Sequence, residues 1–230
     1  MSHDGAQAVR DIISLADEVQ PRLRLLTAAE FMALDLPPRR LVVDPWLPEK
    51  GLAMIYSPRG TGKTLLALTT GYAIATGSGF LGFKTPRPRR VLYIDGEMPA
   101  QTMQERLAAI VTSFENQPPD QTYFKMLSGD LTERGLPDLG SPEGQAELDA
   151  QISDAELIIL DNISTLVRSG KENEAEGWAL VQEWALRHRR AGRSIIFVHH
   201  AGKNGVQRGT SKREDVLDTV IVLKRPADYS

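Results

Sequence analysis

The chain has 230 residues, a formal net charge of −3 and no cysteine. The absence of cysteine excludes a disulfide framework and any zinc site built on cysteine. The net charge gives the molecule as a whole no attraction for nucleic acid. No apolar stretch approaches the roughly 20 residues that a membrane span needs, and the first residues lack the basic and apolar regions of a signal peptide. We therefore expect a cytoplasmic protein with no membrane partner.

The first part of the chain predicts a short helical arm. Apolar residues recur at helical spacing between residues 6 and 19. A second short helix is predicted from Thr27 to Leu34, where the first four residues have the form of a capping box. Pro37-Pro38 then interrupts the chain. We divide the sequence into an N-terminal helical arm or linker, residues 1–38, and a larger domain, residues 39–230.

From residue 41 onward, strand patterns alternate with helical patterns, which is typical of a parallel sheet covered by helices. The predicted strands are Leu52–Tyr56, Val91–Asp95, Phe124–Leu127, Leu157–Asp161, Ser194–His199 and Val216–Leu223. The predicted helices are Leu65 to Gly77, Gln101–Phe114 and Glu174–Arg190, the last with Trp178, Val181, Trp184 and Ala185 on its core face. Residues 116–144 are rich in Pro, Gly and Asp, and no helix is predicted there. The sequence predicts an α/β fold with a mostly parallel central sheet flanked by helices.

The segment between the first buried strand and the first helix of this domain carries the strongest chemical signal. It matches the pattern G-x-x-x-x-G-K-[ST] except at its first position, where Ser57 replaces Gly and adds a hydroxymethyl group that we expect to be tolerated. Such a loop wraps nucleoside triphosphate phosphates with backbone N–H groups, while its Lys reaches the β- and γ-phosphates and its hydroxyl binds Mg²⁺. We therefore expect ATP and Mg²⁺ to bind here. The predicted nucleotide-binding residues are Ser57, Pro58, Arg59, Gly60, Thr61, Gly62, Lys63, Thr64 and Leu65, with Thr64 on the metal side.

Two acidic residues follow predicted strands. Asp161 ends a buried strand and so lies at the carboxyl edge of the sheet, where ligands bind in open α/β folds. We expect it to complete the metal site with Thr64. Glu97 follows another strand and is the candidate general base for an attacking water. The alternative for Glu97 is an acidic residue that merely complements the dipole at the start of the next helix.

The pair His199-His200 ends a further strand. Adjacent strand residues point to opposite faces, so we expect at most one of them to face the site. That histidine would hydrogen-bond the γ-phosphate or the attacking water. The segment that follows, residues 201–213, is basic, rich in glycine and too polar to be part of a core.

Together these residues resemble the RecA-like ATPases, and most closely the RepA-type hexameric helicases of plasmids and related mobile elements. The residues that carry the resemblance are Trp46-Leu47-Pro48, the phosphate loop, Tyr93-Ile94-Asp95-Gly96-Glu97, Leu160-Asp161-Asn162, His199-His200 with Gly202-Lys203, and Arg208-Gly209 before Asp218. The resemblance implies that Glu97 is the catalytic base and that the histidine pair couples nucleotide state to a DNA-facing loop. It also implies that Arg208 reaches the γ-phosphate of a neighbouring subunit, with Lys203 and Arg213 as alternatives.

The resemblance therefore predicts an ATP-hydrolysing homo-oligomer, expected to be a hexameric ring, that acts as a DNA helicase in replication of a plasmid or mobile element. Single-stranded DNA would pass through a central pore lined near residues 168–171 and 203–213. Two other classes stay open: a filament-forming recombination or repair ATPase, and a regulatory ATPase that acts on a protein partner. The second is open because the basic loops lack the interleaved aromatic residues common in single-strand binding.

Overall fold

The computed structural model describes residues 23–169, 175–201 and 215–226 of the chain. The predicted helix at residues 6–19 lies outside these ranges. None of the helices within them is long and apolar enough to cross a membrane. The chain divides into two units, Met1–Pro38 and Arg39–Ser230.

Within the first unit, the described residues form one short helix, α1, which spans Ala28–Met32. The Thr27 hydroxyl accepts a hydrogen bond from the Glu30 backbone N–H at 3.2 Å, and the Glu30 carboxylate accepts one from the Thr27 backbone N–H at 2.7 Å. This reciprocal pair is the capping box that the sequence indicated. The functional separation of residues 1–38 from residues 39–230 stays a prediction.

The second unit alternates strands and helices. Its described elements are β1 (Leu41–Val43), β2 (Leu47–Pro48), β3 (Leu52–Ser57), α2 (Lys63–Thr76), β4 (Val91–Asp95), α3 (Ala100–Ser113), β5 (Phe124–Ser128), a 3₁₀ turn (Gly129–Leu131), α4 (Pro142–Ile152), β6 (Leu157–Asp161), α5 (Ile163–Leu166), α6 (Ala175–Arg190), β7 (Ser194–His200) and β8 (Thr219–Val222). All six predicted strands and all three predicted helices of this unit are present, with ends that shift by a few residues.

Six strands form the central sheet in the order β5-β4-β6-β7-β3-β8, and every neighbouring pair is parallel. The predicted mostly parallel sheet is therefore confirmed, and β1 and β2 form a separate antiparallel pair. Because the strands are parallel, their carboxyl ends lie along one edge. At this edge Asp95 pairs in register with Asp161, and Ser57 pairs with His200. The candidate site is assembled here.

The sheet separates two apolar cores. Along β6, Leu157 and Ile159 enter one core while Ile158 and Leu160 enter the other, as the alternation of strand side chains requires. Helix α2 contributes to the first core and α6 to the second. The four residues predicted on the core face of α6 are all buried there, namely Trp178, Val181, Trp184 and Ala185. A sheet covered on both faces holds its carboxyl edge as a rigid platform.

The short elements β1, β2, α5 and the 3₁₀ turn were not predicted, and two longer elements also differ from the sequence prediction. Helix α4 was missed, although it begins inside the segment rich in Pro, Gly and Asp. The Ser141 hydroxyl accepts a hydrogen bond from the Gly144 backbone N–H at 3.1 Å, and Pro142 occupies the first helical position, where its missing N–H costs nothing. The Ser-Pro pair therefore starts a helix. Strand β8 is shorter than predicted, since Val216 lies in the turn that precedes it.

Gly71 lies on the side of α2 that packs closely against the sheet, and it provides a test of that packing. A β-carbon at this position would lie 3.0 Å from Ile159 Cδ1 and 3.1 Å from Phe124 Cε2. We predict that Gly71→Val lowers the free energy of unfolding by about 1–3 kcal/mol, because overpacking displaces these side chains. Urea denaturation measures the change.

Gly71→Ala is the matched control. Alanine has a higher helix propensity than glycine by about 1 kcal/mol, and its single methyl group clashes less with the sheet than the valine side chain does. The free energy of unfolding of this variant should therefore stay within about 1 kcal/mol of that of the parent protein. A valine variant as stable as the alanine variant would contradict the close approach of α2 to the sheet.

Candidate nucleotide site

The phosphate loop joins β3 to α2, and its backbone has the conformation that anion binding needs. Gly60 and Gly62 have φ angles of 72° and 101°, in the left-handed region that glycine adopts without steric cost. Gly62 is the residue before α2, so the free N–H groups of the first helical turn belong to the loop. Ser57 is different, because it is a strand residue with φ outside that region. A side chain at position 57 therefore strains no backbone angle.

The Lys63 ammonium group is held inside this loop. Its Nζ donates hydrogen bonds to the carbonyl oxygens of Ser57 at 3.1 Å and Pro58 at 3.0 Å, and the residue is 6% exposed. Burial lowers the pKa of Lys63, while the negative charges of Asp161 and Glu97 oppose that shift. The loop thus presents a buried cation whose charge is balanced by the carboxylates of Asp161, at the end of β6, and Glu97, in the segment after β4.

Asp161 lies at the end of β6, next to the loop, and is 3% exposed. Its Oδ2 accepts a hydrogen bond from the Tyr93 hydroxyl at 2.7 Å, and its carboxylate also accepts one from the Thr64 hydroxyl. Burial raises the pKa of Asp161, against the effect of these two donors and of Lys63. The sequence placed Thr64 and Asp161 together on the metal side, and the structure brings their side chains into contact.

Glu97 is turned toward the site by the residues before it. The buried Asp95 carboxylate accepts hydrogen bonds from the backbone N–H groups of Glu97 at 3.4 Å and Met98 at 3.3 Å. Gly96 is needed for close packing, because a β-carbon there would lie 2.5 Å from the Thr165 hydroxyl. Glu97 also precedes the cap of α3, which is Pro99. It is therefore outside the first helical turn, where an acidic residue would act on the dipole.

The carboxyl ends of β6 and β7 supply two further side chains around Glu97. Asn162 Nδ2 donates a hydrogen bond to Glu97 Oε2, and His200 Nε2 lies 3.1 Å from the same oxygen. His200 borders the cavity beside the loop, whereas His199 is fully buried. The expectation that at most one of them faces the site stays a prediction.

These groups surround an open cavity of about 430 Å³. Its lining residues are Arg59, Gly60, Gly62, Lys63, Thr64, Leu65, Glu97, Met98, Arg106 and His200. A volume of this size is in the range of small-molecule sites. The cavity offers backbone N–H groups and cations at the loop and an acidic group opposite, an arrangement that suits a polyphosphate and an attacking water.

Sequence reasoning did not identify the contributions of Arg106 and Asn162 to this region. Arg106 was not singled out, although it lies three residues after the buried Met103 and four before the buried Ile110 on α3. A charged residue on the apolar face of a helix is a signal that was available. Asn162 was quoted only as part of a motif, and its role depends on contacts between strands that no local pattern reveals.

Several predicted residues cannot be placed around the cavity. Arg208, Lys203 and Arg213 lie outside the described residues, so their roles stay predictions. Of the predicted pore segment at residues 168–171, Arg168 and Ser169 are described. The Arg168 guanidinium donates to the Leu136 carbonyl at 2.5 Å, and its backbone N–H donates to Asp138 at 2.9 Å.

The parallel sheet, the glycine-rich loop before α2, and the acidic residues at the carboxyl ends of neighbouring strands define a P-loop ATPase domain with a RecA-like fold. The AAA domain family matches residues 17–206 of the chain. The chain therefore belongs to this family of ATPase domains.

A solved structure with the same fold is the KaiC-like protein of the hyperthermophilic archaeon Pyrococcus horikoshii OT3. The two chains superimpose with a TM-score of 0.56 over 80% of this chain and 81% of the other, at 15% sequence identity. At that identity the likeness is one of fold.

Asp95 gives a pH-dependent test of how the site is built. Burial raises its pKa from the ordinary 3.8 to about 6, against hydrogen bonds from Met98 and Glu97 that lower it. The folded state therefore binds this proton more tightly than the unfolded state, so the stability contributed by the protonated group is lost as pH rises from about 4 to about 6. Asp95→Asn removes the charge and keeps an oxygen that accepts the N–H groups.

We predict that Asp95→Asn raises the free energy of unfolding at pH 8 by at most about 3 kcal/mol, from about 1.4 kcal/mol for each pKa unit. The gain should shrink as pH falls toward 5. Thermal unfolding of both proteins at several pH values measures it. An asparagine variant that is less stable at pH 8 would mean that the Asp95 charge is needed for the turn at Glu97.

Proposed function

We propose that this chain is an ATP-hydrolysing motor that works as a ring-forming DNA helicase in the replication of a plasmid or mobile element. The observation that carries ATP hydrolysis is the meeting of three functions at one sheet edge: the Lys63 cation, the Thr64–Asp161 contact and the Glu97 carboxylate. The helicase assignment is supported by the motifs that resemble RepA-type helicases.

Phosphate binding begins with the loop backbone and Lys63. In the structure the ammonium group donates to two carbonyl oxygens. Phosphate oxygens carry charge and accept stronger hydrogen bonds than neutral carbonyls do. We therefore expect Lys63 Nζ to exchange a carbonyl partner for a phosphate oxygen when ATP binds. Arg106 and Arg59, which also line the cavity, add positive charge for the nucleotide.

The donor set beside the loop fits Mg²⁺. This ion prefers oxygen ligands and keeps several of its waters, and Thr64 and Asp161 supply a hydroxyl and a carboxylate that already contact each other. These two residues would hold the ion directly or through water. When bound, the ion would supply neutralising charge at the β- and γ-phosphate oxygens.

Glu97 is the proposed base for hydrolysis. Its side chain is 42% exposed and borders the cavity. It would accept a proton from water while the water oxygen bonds to the γ-phosphorus and the bond from that phosphorus to the ADP oxygen breaks. Asp95 is less suited, because it is 1% exposed and both of its oxygens accept backbone N–H groups.

Assembly would complete the site. Phosphoryl transfer needs a cation for the charge that develops in the transition state, and Arg208 from a neighbouring subunit is the proposed donor. A closed ring, expected to be hexameric, would place the basic segment 203–213 of one subunit near the cavity of the next. Single-stranded DNA would contact that segment and residues 168–171, and this binding should weaken steeply with salt.

Glu97→Gln tests the base. We predict that this variant binds ATP with an affinity close to that of the parent protein but loses hydrolysis by at least about 100-fold, because an amide cannot take the proton from water. Nucleotide binding by calorimetry and phosphate release measure the two properties. Normal hydrolysis by Glu97→Gln, together with its loss in Asp95→Asn, would move the base to Asp95.

ATPase activity against protein concentration, with and without single-stranded DNA at low salt, tests assembly and partner together. We predict that the rate per subunit rises with concentration and rises again with DNA, because a cation supplied in trans contributes about a thousandfold or more. Mixing Arg208→Ala with Lys63→Ala subunits should restore part of the activity that each lacks alone.

The outcomes of these experiments distinguish the helicase from the two other classes of ATPase. A rate that single-stranded DNA leaves unchanged would reject the helicase and favour a regulatory ATPase with a protein partner. Filaments instead of rings in electron micrographs with ATP and DNA would favour a recombination or repair ATPase. A rate per subunit that is independent of concentration would reject the site shared between subunits.

A further inference from the structure

Asn162 occupies a position between the strands that carry the other catalytic groups. It follows β6 directly, and in the sheet β6 lies between β4, which leads to Glu97, and β7, which ends at His200. The residue is 1% exposed. A buried amide at the centre of the sheet edge can therefore reach side chains on both sides.

The contacts of Asn162 converge on one oxygen of Glu97. Its Nδ2 donates to Glu97 Oε2 and lies 3.1 Å from His200 Nε2. Because a carboxylate only accepts hydrogen bonds, the amide must present its NH₂ group to Glu97. Its Oδ1 is buried with no partner among the described residues, so the contact with Glu97 sets the orientation of the amide.

The backbone of Asn162 is held by hydrogen bonds. The side chain of Glu97, in contrast, is not held in place by burial. The Asn162 carbonyl accepts hydrogen bonds from the backbone N–H groups of Thr165 at 3.2 Å and Leu166 at 3.3 Å, and from the Thr165 hydroxyl at 2.9 Å. The Glu97 side chain is 42% exposed and would otherwise turn about three side-chain bonds. A rigid donor thus holds a flexible acceptor.

His200 is the conditional one of the two donors to Glu97. Its Nε2 donates to Glu97 Oε2 only when it carries a proton, and in the other neutral tautomer it is itself an acceptor. The Asn162 amide has no such alternative and donates in every case. Asn162 is therefore the constant partner of Glu97, and His200 the variable one.

We propose that Asn162 is a positioning residue for hydrolysis, which holds the Glu97 carboxylate in the orientation that takes the proton from water. This rests on the proposed role of Glu97 as the base. Asn162 touches neither nucleotide nor water in this proposal and acts through Glu97 alone. Its loss therefore lowers the rate of the chemical step and leaves nucleotide affinity intact.

Asn162→Ala is the first test. The expected result is a loss of kcat of about 10- to 100-fold, the range of a hydrogen bond to a charged group, with KM and the measured affinity for ATP changed less than about twofold. Asn162→Asp keeps the shape of the side chain and removes the donor, so it should lose at least as much kcat. It also serves if the alanine variant fails to fold.

A double-mutant cycle separates positioning from a structural role. In the Glu97→Gln background, Asn162→Ala should cause no further loss of single-turnover hydrolysis, because the group it positions is already inactive. Gln145→Ala is the matched control, since Gln145 is also a buried amide with two hydrogen bonds, to the carbonyls of Leu139 and Leu180. It should leave kcat unchanged in the folded protein.

The outcomes distinguish this proposal from the proposed function. If the parent protein does not hydrolyse ATP, or Glu97→Gln hydrolyses normally, the proposed function fails first. If the parent is active and Glu97→Gln is inactive, an Asn162→Ala variant with normal or raised kcat overturns the positioning role. A loss of ATP affinity equal to the loss of rate, or additive losses in the cycle, overturns it as well.

Discussion

The buried charge of Lys63 is the constraint on which the site depends. Lys63 is 6% exposed as a residue, and a largely buried ammonium group is costly unless it is hydrogen-bonded and balanced by opposite charge. Backbone carbonyls of the loop supply the hydrogen bonds, and the carboxylates of Asp161 and Glu97 supply the charge. These interactions tie together the loop, the end of β6 and the segment after β4.

The parallel sheet makes this arrangement possible. The loop and the two acidic residues are far apart in sequence, yet the strands that carry them end at one edge, with β6 and β7 between β4 and β3. Side chains on rigid strand ends are held more precisely than side chains within loops. The fold therefore fixes the distances among the side chains of Lys63, Asp161 and Glu97.

The sequence predicted the elements that have a local pattern. The phosphate loop, the strand that ends at Asp161 and the core face of α6 each have a spacing that can be recognised without the structure. The contribution of Asn162 could not be predicted this way, because its contacts join three strands. The need for Gly96 also depends on a distant residue, Thr165, whose hydroxyl fills the space of a β-carbon. Helix α4 was missed because its first residues have the composition of a loop.

The carboxylates of this edge also cost stability. Asp95 and Asp161 adjoin in register at the ends of β4 and β6, and burial raises the pKa of both. Glu97 adds a third negative charge that raises the pKa of both, so the three carboxylates repel one another. A divalent cation would offset that repulsion, and anything that binds only the folded protein stabilises it. Binding of a divalent cation should therefore stabilise the folded domain, because the cation would reduce the repulsion among these three carboxylates.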